Sequence, residues 1–348
     1  MTFCAAPFVH MVQNPNGQFR TCCMYEKPLE GKYANIQEAF DSEENAVIRQ
    51  RMLSGDRLPE CQKCDYDEEH AGKSVVSYRS HFNNTYPKPD GLRSLEISTS
   101  NICNFKCITC DEEFSNQFGE TNINELPDPK IYERLESLKL LGGEPFLDKR
   151  NKTILQQVPR KDCELHVVTN GSIFPDDYTV GLLNQFKATS ISISIDGIGD
   201  KAEFVRPGTK WSRVERNYKK WALLRDKPRF GVHPHYVVHS LNAPYFEEFL
   251  EWCDLPFHLL SWDFLVSPKH LNISYLPDKI KTYILDRNPT LRDSLEKFIY
   301  TNEYNERHFI KLGTVAFNAP DSMDEYVKKI HDNDLQEMRI NPKKLYTD

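Results

Sequence analysis

The residues that invite chemistry are cysteines. The chain of 348 residues holds ten, and eight of them fall within the first 110 positions. The densest group is Cys103-Asn-Phe-Lys-Cys107-Ile-Thr-Cys110. Three residues separate the first pair and two the second, directly after the strand-like run Leu95-Glu96-Ile97-Ser98. Three thiolates hold three irons of a [4Fe–4S] cluster and leave the fourth iron an open position. Structural zinc takes four ligands in a closed site, so three thiolates suit it poorly, and a zinc knuckle is the alternative reading. A second constellation comprises Cys4, Gly17, Cys22 and the pair Cys61-Gln-Lys-Cys64. Gly17 permits the turn that brings distant cysteines together. Cys22 and Cys23 adjoin, so on a strand only one faces such a site. Spacing favours Cys22, with Cys23 as the substitute. A four-cysteine zinc site fits this second spacing equally well.

The elements that must position these groups follow from periodicity. Strand patterns cover 93–99, 138–142, 165–169, 190–195, 231–240 and 259–266, with helical stretches at 131–136, 152–157, 177–186, 212–224 and 245–253 between them. Such alternation predicts parallel βαβ units, six in number, and so an α/β partial barrel. The expected organisation is a cysteine-rich domain over 1–70, a polar linker over 71–91, the βα core over 92–268 and a helical C-terminal extension over 269–348. One helix is expected over 36–53. Ser192, Ser194 and Asp196 alternate with Ile193 and Ile195, and Gly231, His233, His235 and His239 share a face opposite Val232, Tyr236 and Val238. The apolar sets face helices and the polar sets a lumen, which suits a reaction chamber. By the same alternation Glu96, Lys139, His166 and Asp263 point inward as candidate acids or bases. A His metal site is the sharper reading of His233, His235 and His239, and polar packing the plainer one. Cys163 and Cys253 read as buried structural thiols, and the four tryptophans as packing residues.

Composition excludes several classes. Forty-four basic against 51 acidic side chains give a net charge of −7, which disfavours a phosphate-backbone partner. No run of about 18 apolar residues exists to span a membrane. The start, MTFCAAPF, carries neither a basic n-region nor a long apolar run, so nothing in it reads as a signal peptide and a cytoplasmic chain is expected. In that reducing compartment clustered cysteines are metal ligands or redox groups rather than disulfides.

With its CX3CX2C group after a first strand, the chain resembles the radical S-adenosylmethionine (SAM) superfamily over about residues 92–268. The resemblance implies a SAM-binding [4Fe–4S] cluster on Cys103, Cys107 and Cys110. Gly142-Gly143-Glu144-Pro145 looks like the family's GGEP motif, which accepts hydrogen bonds from the SAM amino group. Its glycines would let the backbone approach the ligand closely. Asn170 in Thr169-Asn170-Gly171, and Ser194 and Asp196 in Ser194-Ile195-Asp196-Gly197, fall where relatives approach the ribose and the methionine carboxylate. Arg206 resembles an arginine that pairs with that carboxylate. Thr109 departs from the aromatic residue that many members place before the third cysteine. The N-terminal set Cys4, Cys22, Cys61 and Cys64 is similar to the twitch domain, a shortened SPASM domain that binds one auxiliary [4Fe–4S] cluster. In the better-known relatives that module follows the core, whereas here it precedes it. The implied activity is that of an oxidoreductase or transferase: reductive cleavage of SAM to a 5′-deoxyadenosyl radical that takes a hydrogen from substrate. A peptide or protein substrate is preferred, a small carbohydrate or nucleotide-like metabolite is the alternative, and an electron donor such as flavodoxin or ferredoxin is implied. The non-catalytic reading is a zinc-binding scaffold.

Overall fold

The computed structural model describes residues 3–70, 77–256 and 259–332. Eight strands form one sheet: β1 His10–Gln13, β2 Phe19–Arg20, β3 Ser94–Ser98, β4 Ser137–Leu141, β5 Glu164–Thr169, β6 Ala188–Ser194, β7 Phe230–Val238 and β8 Ser261–Phe264. Their order is β2-β1-β3-β4-β5-β6-β7-β8, so the sheet ends at β2 and β8 and stays a partial barrel. β3 to β8 are the six core strands expected from the sequence, each within two residues of its expected bounds, and all neighbours among them pair in parallel. The apolar alternates Ile191, Ile193 and Val232 are almost fully buried toward the helices, while His233 and His235 are only half-buried on the opposite face. The fold is therefore α/β, with βα units that carry every loop after a core strand to one rim.

The sequence did not reveal β1 and β2, which are four and two residues long. β1 pairs in parallel with β3, setting Val12 opposite Glu96 and Gln13 opposite Ile97, so the cysteine-rich stretch shares the core sheet. Within the stretch read as a linker, Tyr78–Thr85 is a helix; residues 71–76 lie outside the described residues. The Ser77 side chain caps it by accepting from Ser80 N, and Phe82 packs on His10 and Tyr86, a single buried face hidden in polar composition. The single helix expected over 36–53 is two, Ile36–Asp41 and Glu43–Leu53, because Ser42 is extended and its side chain caps the second. The stretch 131–136 is only a 3₁₀ turn, Pro129–Tyr132. The C-terminal part is helical as expected: Asp278–Arg287, Arg292–Ile299, Glu306–Ala316 and Asp324–Asp332. It packs on the core through Asn288, whose Nδ2 donates to Ala243 O at 2.8 Å, and through the buried Tyr326. Among the described residues no helix is long and apolar enough to cross a membrane.

Candidate active site

The loop after β3 carries Cys103, Cys107 and Cys110, and its shape is fixed by amides around it. Asn116 Oδ1 accepts from Cys103 N at 3.0 Å, and Gln117 Nε2 donates to Cys103 O at 2.9 Å. Buried Asn101 donates to Glu112 O and Glu120 O, tying the loop's return to its start. On the far side Lys106 N donates to Pro207 O at 2.7 Å and Ile108 N to Val205 O at 3.1 Å. The segment that holds Arg206 thus runs alongside the cysteines as a backbone splint. At the root of the loop, Asp148 accepts from Thr99 and Ser100 hydroxyls and pairs with Arg150. Burial pushes the Asp148 carboxyl up, but Arg150, Ser100 and Thr99 outweigh it and hold it at about 2.

The turn after β4 explains its own glycines. A Cβ on Gly143 would sit 2.2 Å from Ile102 O, and one on Gly142 2.5 Å from Ser100 O. Gly142 also has φ +122°. Gly143 N donates to Ser100 O and Glu144 N to Ile102 O, so the turn is packed on the cysteine loop itself. The expectation that these glycines serve approach to a ligand is thereby sharpened: they serve approach to the backbone that carries the cysteines. Glu144 is buried, and its carboxylate accepts from Thr169 Oγ1 at 2.8 Å, Asn170 N at 2.7 Å and Phe146 N at 3.1 Å. It clamps the ends of β4 and β5. Burial raises its carboxyl to about 7 against the pull of those three donors. Pro145 lies behind the turn, its carbonyl accepting from Asn151 Nδ2 at 2.9 Å.

Arg206 and Asp196 form a pair. Arg206 Nε and Nη2 reach Asp196 Oδ2 at 2.8 and 2.6 Å, while Asp196 Oδ1 accepts from Val237 N at 2.9 Å. Both Asp196 oxygens are thus engaged by the protein. Arg206 Nη1 stands 3.8 Å from Cys107 Sγ, and Asn170 Nδ2 stands 3.9 Å from Cys103 Sγ. Phe105 N donates to Cys103 Sγ at 3.4 Å. Burial raises all three thiols, Cys110 to about 12, and Arg206 opposes it at Cys107.

The three cysteines, Gly142, Gly143, Asn170, Ser194 and Arg206 line one open cavity of about 490 Å³ at the strand ends. Glu144, Pro145 and Asp196 do not line it. Phe105, Phe114 and Asp111 also line it, as do Ser267 and Pro268 beyond β8, and sequence reasoning missed these. Thr109 lines it too, at the position where an aromatic is missing, with Phe114 four residues from Cys110. The signal for Phe114 was only an aromatic within an Asp/Glu/Asn-rich loop.

Cys4, Cys22, Cys61 and Cys64 line a second, small and largely apolar pocket with Met24, Tyr25 and Arg79, and Cys23 does not line it. Gly17, at φ +82°, turns the β1–β2 hairpin, which leads the chain back to Cys22. Burial raises Cys4 to about 11 and Cys61 to about 12, with Arg79 opposing at both. Arg79 is itself fixed by Asp65 and Glu68 at 2.7 Å each. Cys163 and Cys253 are buried elsewhere in the core, and Trp221 packs against Phe146 and Phe174. Among the described residues no three His, Cys, Asp or Glu side chains are arranged to hold a single metal ion, the β7 histidines included.

Residues 97–253, from within β3 to the helix before β8, match the family model described as Radical SAM superfamily. The chain is thus similar to the radical SAM superfamily over that stretch. It is 28% identical over 133 residues to an S-adenosylmethionine-dependent nucleotide dehydratase of Psychrobacter lutiphocae, covering 33% of this chain and 42% of that protein. It is 24% identical over 176 residues to a GTP 3',8-cyclase of Vibrio atlanticus, covering 47% and 52%. The chain therefore spans about half the length of these curated relatives. Among solved structures, native anSMEcpe with bound AdoMet superposes with a TM-score of 0.43 at 20% identity, covering 65% of this chain and 66% of that one.

The residues of this stretch fit the cluster and SAM that the matched family implies. Three thiols open on a cavity with room for a ligand, and N–H groups of Phe105, Asn170 and Arg206 are aimed at two of the sulfurs. Such donors favour the thiolate form that metal binding requires. The second pocket offers an all-sulfur donor set beside the Arg79 guanidinium.

Proposed function

We propose that this chain is an enzyme in which Cys103, Cys107 and Cys110 hold a [4Fe–4S] cluster that binds SAM. The observation that carries the reading is the convergence of these thiols, the Gly142-Gly143 turn, Asn170, Ser194 and Arg206 on one cavity at the strand ends. When bound, the cluster and SAM supply a reductive cleavage that yields a 5′-deoxyadenosyl radical for hydrogen abstraction. The protein's part is to fix the donor loop, direct N–H groups at its sulfurs and shape a cavity around the ligand. The Gly142-Gly143 turn offers backbone carbonyls to the SAM amino group. Ser194, Asn170 and Arg206 face the remainder of the ligand. Electrons come from a small reductant such as flavodoxin or ferredoxin.

Cys4, Cys22, Cys61 and Cys64 are proposed to hold an auxiliary [4Fe–4S] cluster, as in a twitch domain placed ahead of the core. The preferred substrate is a peptide or protein side chain. A nucleotide-like metabolite is the second reading, favoured by the two curated relatives, a nucleotide dehydratase and a GTP 3',8-cyclase. The iron count tests the cluster assignment. Anaerobically reconstituted protein should hold about eight irons per chain, falling to about four in the Cys61→Ala/Cys64→Ala variant. Unchanged iron in that variant, or stoichiometric zinc in the parent, overturns the auxiliary cluster.

A further inference from the structure

The inward face of the partial barrel carries charge that the SAM site does not use. Leu141 and Val168 line the cavity, and alternation places Lys139 and His166 on the same face, two residues nearer the strand starts. Glu96, Lys139 and His166 stand side by side in register on β3, β4 and β5. Lys139 Nζ meets Glu96 Oε1 at 3.2 Å, and the Glu96 side chain is only 6% exposed. Lys139 is the only Lys or Arg on the inward faces of the six core strands. Burial disfavours its charge, but Glu96 outweighs burial and keeps the ammonium protonated.

His166 stands next to Lys139 in the register. Burial and Lys139 push its imidazole down to about 4, so it is neutral near pH 7. Its Nε2 is buried and finds no hydrogen-bond partner among the described residues. His235 Nδ1 meets Ser261 Oγ at 2.8 Å and His233 Nδ1 meets Leu259 O at 3.2 Å, while His10 Nε2 and His239 Nε2 share with His166 Nε2 the lack of a partner among the described residues. A buried polar atom left unpaired is costly, and it is a place where another group can supply the partner. From the other side Tyr78 comes within electrostatic reach of Lys139, Glu96 and Asp263.

We propose that Lys139 and His166 form a substrate subsite for an uncharged hydrogen-bond acceptor, the amide carbonyl of a peptide, and not for a phosphate. The proposal rests on the radical SAM reading above and names the substrate class within it. The Lys139–Glu96 pair sums to zero charge, and His166 adds none. An amide carbonyl takes hydrogen bonds from the ammonium and from the imidazole N–H without bringing net charge into the chamber. A nucleoside triphosphate brings several negative charges to a single ammonium that Glu96 already neutralises, and uncompensated buried charge is strongly unfavourable.

The test uses the full reconstituted chain with histidine labelled with ¹³C at Cε1, observed by NMR. The His166 signal is assigned by its loss in His166→Gln. The probes are N-acetylglycine methylamide and inorganic pyrophosphate. The expected result is a saturable shift of the His166 signal with the blocked amide and none with pyrophosphate. Lys139→Met should weaken the amide's apparent affinity at least tenfold. Glu96→Gln, which leaves the ammonium uncompensated, should make the same signal respond to pyrophosphate. Each variant is first checked for parental circular dichroism and iron content, and two independent variants guard against one failing to fold. A saturable response to pyrophosphate in the parent, no response to either probe, or an amide response indifferent to Lys139→Met overturns the subsite. Failure of the parent protein to cleave SAM, measured separately, overturns the underlying reading instead.

Discussion

Replacing Arg206 by Gln removes a cation 3.8 Å from Cys107 Sγ while leaving a polar side chain of related length. Unit charges at that distance interact by about 4 kcal/mol at an effective dielectric constant near 20. An electron added to a four-iron cluster is shared, so roughly a quarter of that, ~1 kcal/mol, opposes reduction once the cation is gone. For a one-electron couple, tenfold is 59 mV, which makes the expected fall in midpoint potential on the order of 40 mV. Arg206 is held by Asp196, and Asp196 by Val237 N, so the guanidinium cannot drift far in the parent protein. Asp196→Asn removes the neighbouring anion and should shift the potential in the opposite direction, whereas Arg206→Lys keeps the charge and should shift least. The assay is an EPR-monitored redox titration of the Cys61→Ala/Cys64→Ala protein, which isolates the Cys103–Cys107–Cys110 signal. A potential that is unchanged or raised in Arg206→Gln, at undiminished iron content, refutes the placement of this cation against the cluster.

Two further expectations rest on the supports of the cysteine loop. The Asp148 carboxyl is held at about 2, below its ordinary 3.8, so the native state binds fewer protons than the unfolded chain between these values. Its contribution is present above about pH 4 and lost as pH falls toward 2. Asp148→Asn should therefore cost about 2 kcal/mol in urea denaturation at pH 6, with the gap from the parent closing in acid; a gap independent of pH counts against the Arg150–Asp148 assignment. Gly143→Ala forces a Cβ to 2.2 Å from Ile102 O. It should destabilise the fold by about 1–3 kcal/mol and lower iron retention, because the displaced atom belongs to the cysteine loop. Parental stability and iron content in Gly143→Ala contradict that packing.

Much of this arrangement was legible in the sequence, for physical reasons. The core strands carry period-two patterning, clearest in Ser192-Ile193-Ser194-Ile195, and such patterning survives without tertiary information. The cysteine spacing and the Gly142-Gly143 turn were legible because thiols and glycines have few other uses at such positions. β1 and β2 were not, since four- and two-residue strands give no period, and the pairing of β1 with β3 depends on a partner about 80 residues away. The helix Tyr78–Thr85 was hidden because one buried phenylalanine and a capping serine decide it amid polar neighbours. The roles of Glu144 and Asp196 were only half legible. Their side chains are acidic near the site, but burial and three or more protein donors commit them to joining strand ends and fixing Arg206, which only the folded register reveals.

The central claim is that Cys103, Cys107 and Cys110 create a centre that cleaves SAM. The most direct measurement is chromatographic detection of 5′-deoxyadenosine after anaerobic incubation of the reconstituted full chain with SAM and dithionite. Stoichiometric or greater 5′-deoxyadenosine from the parent, and none from Cys103→Ala, Cys107→Ala or Cys110→Ala proteins that keep the auxiliary irons, is the expected result. A folded, iron-loaded parent that forms no 5′-deoxyadenosine, or cysteine variants that form as much as the parent, contradicts it.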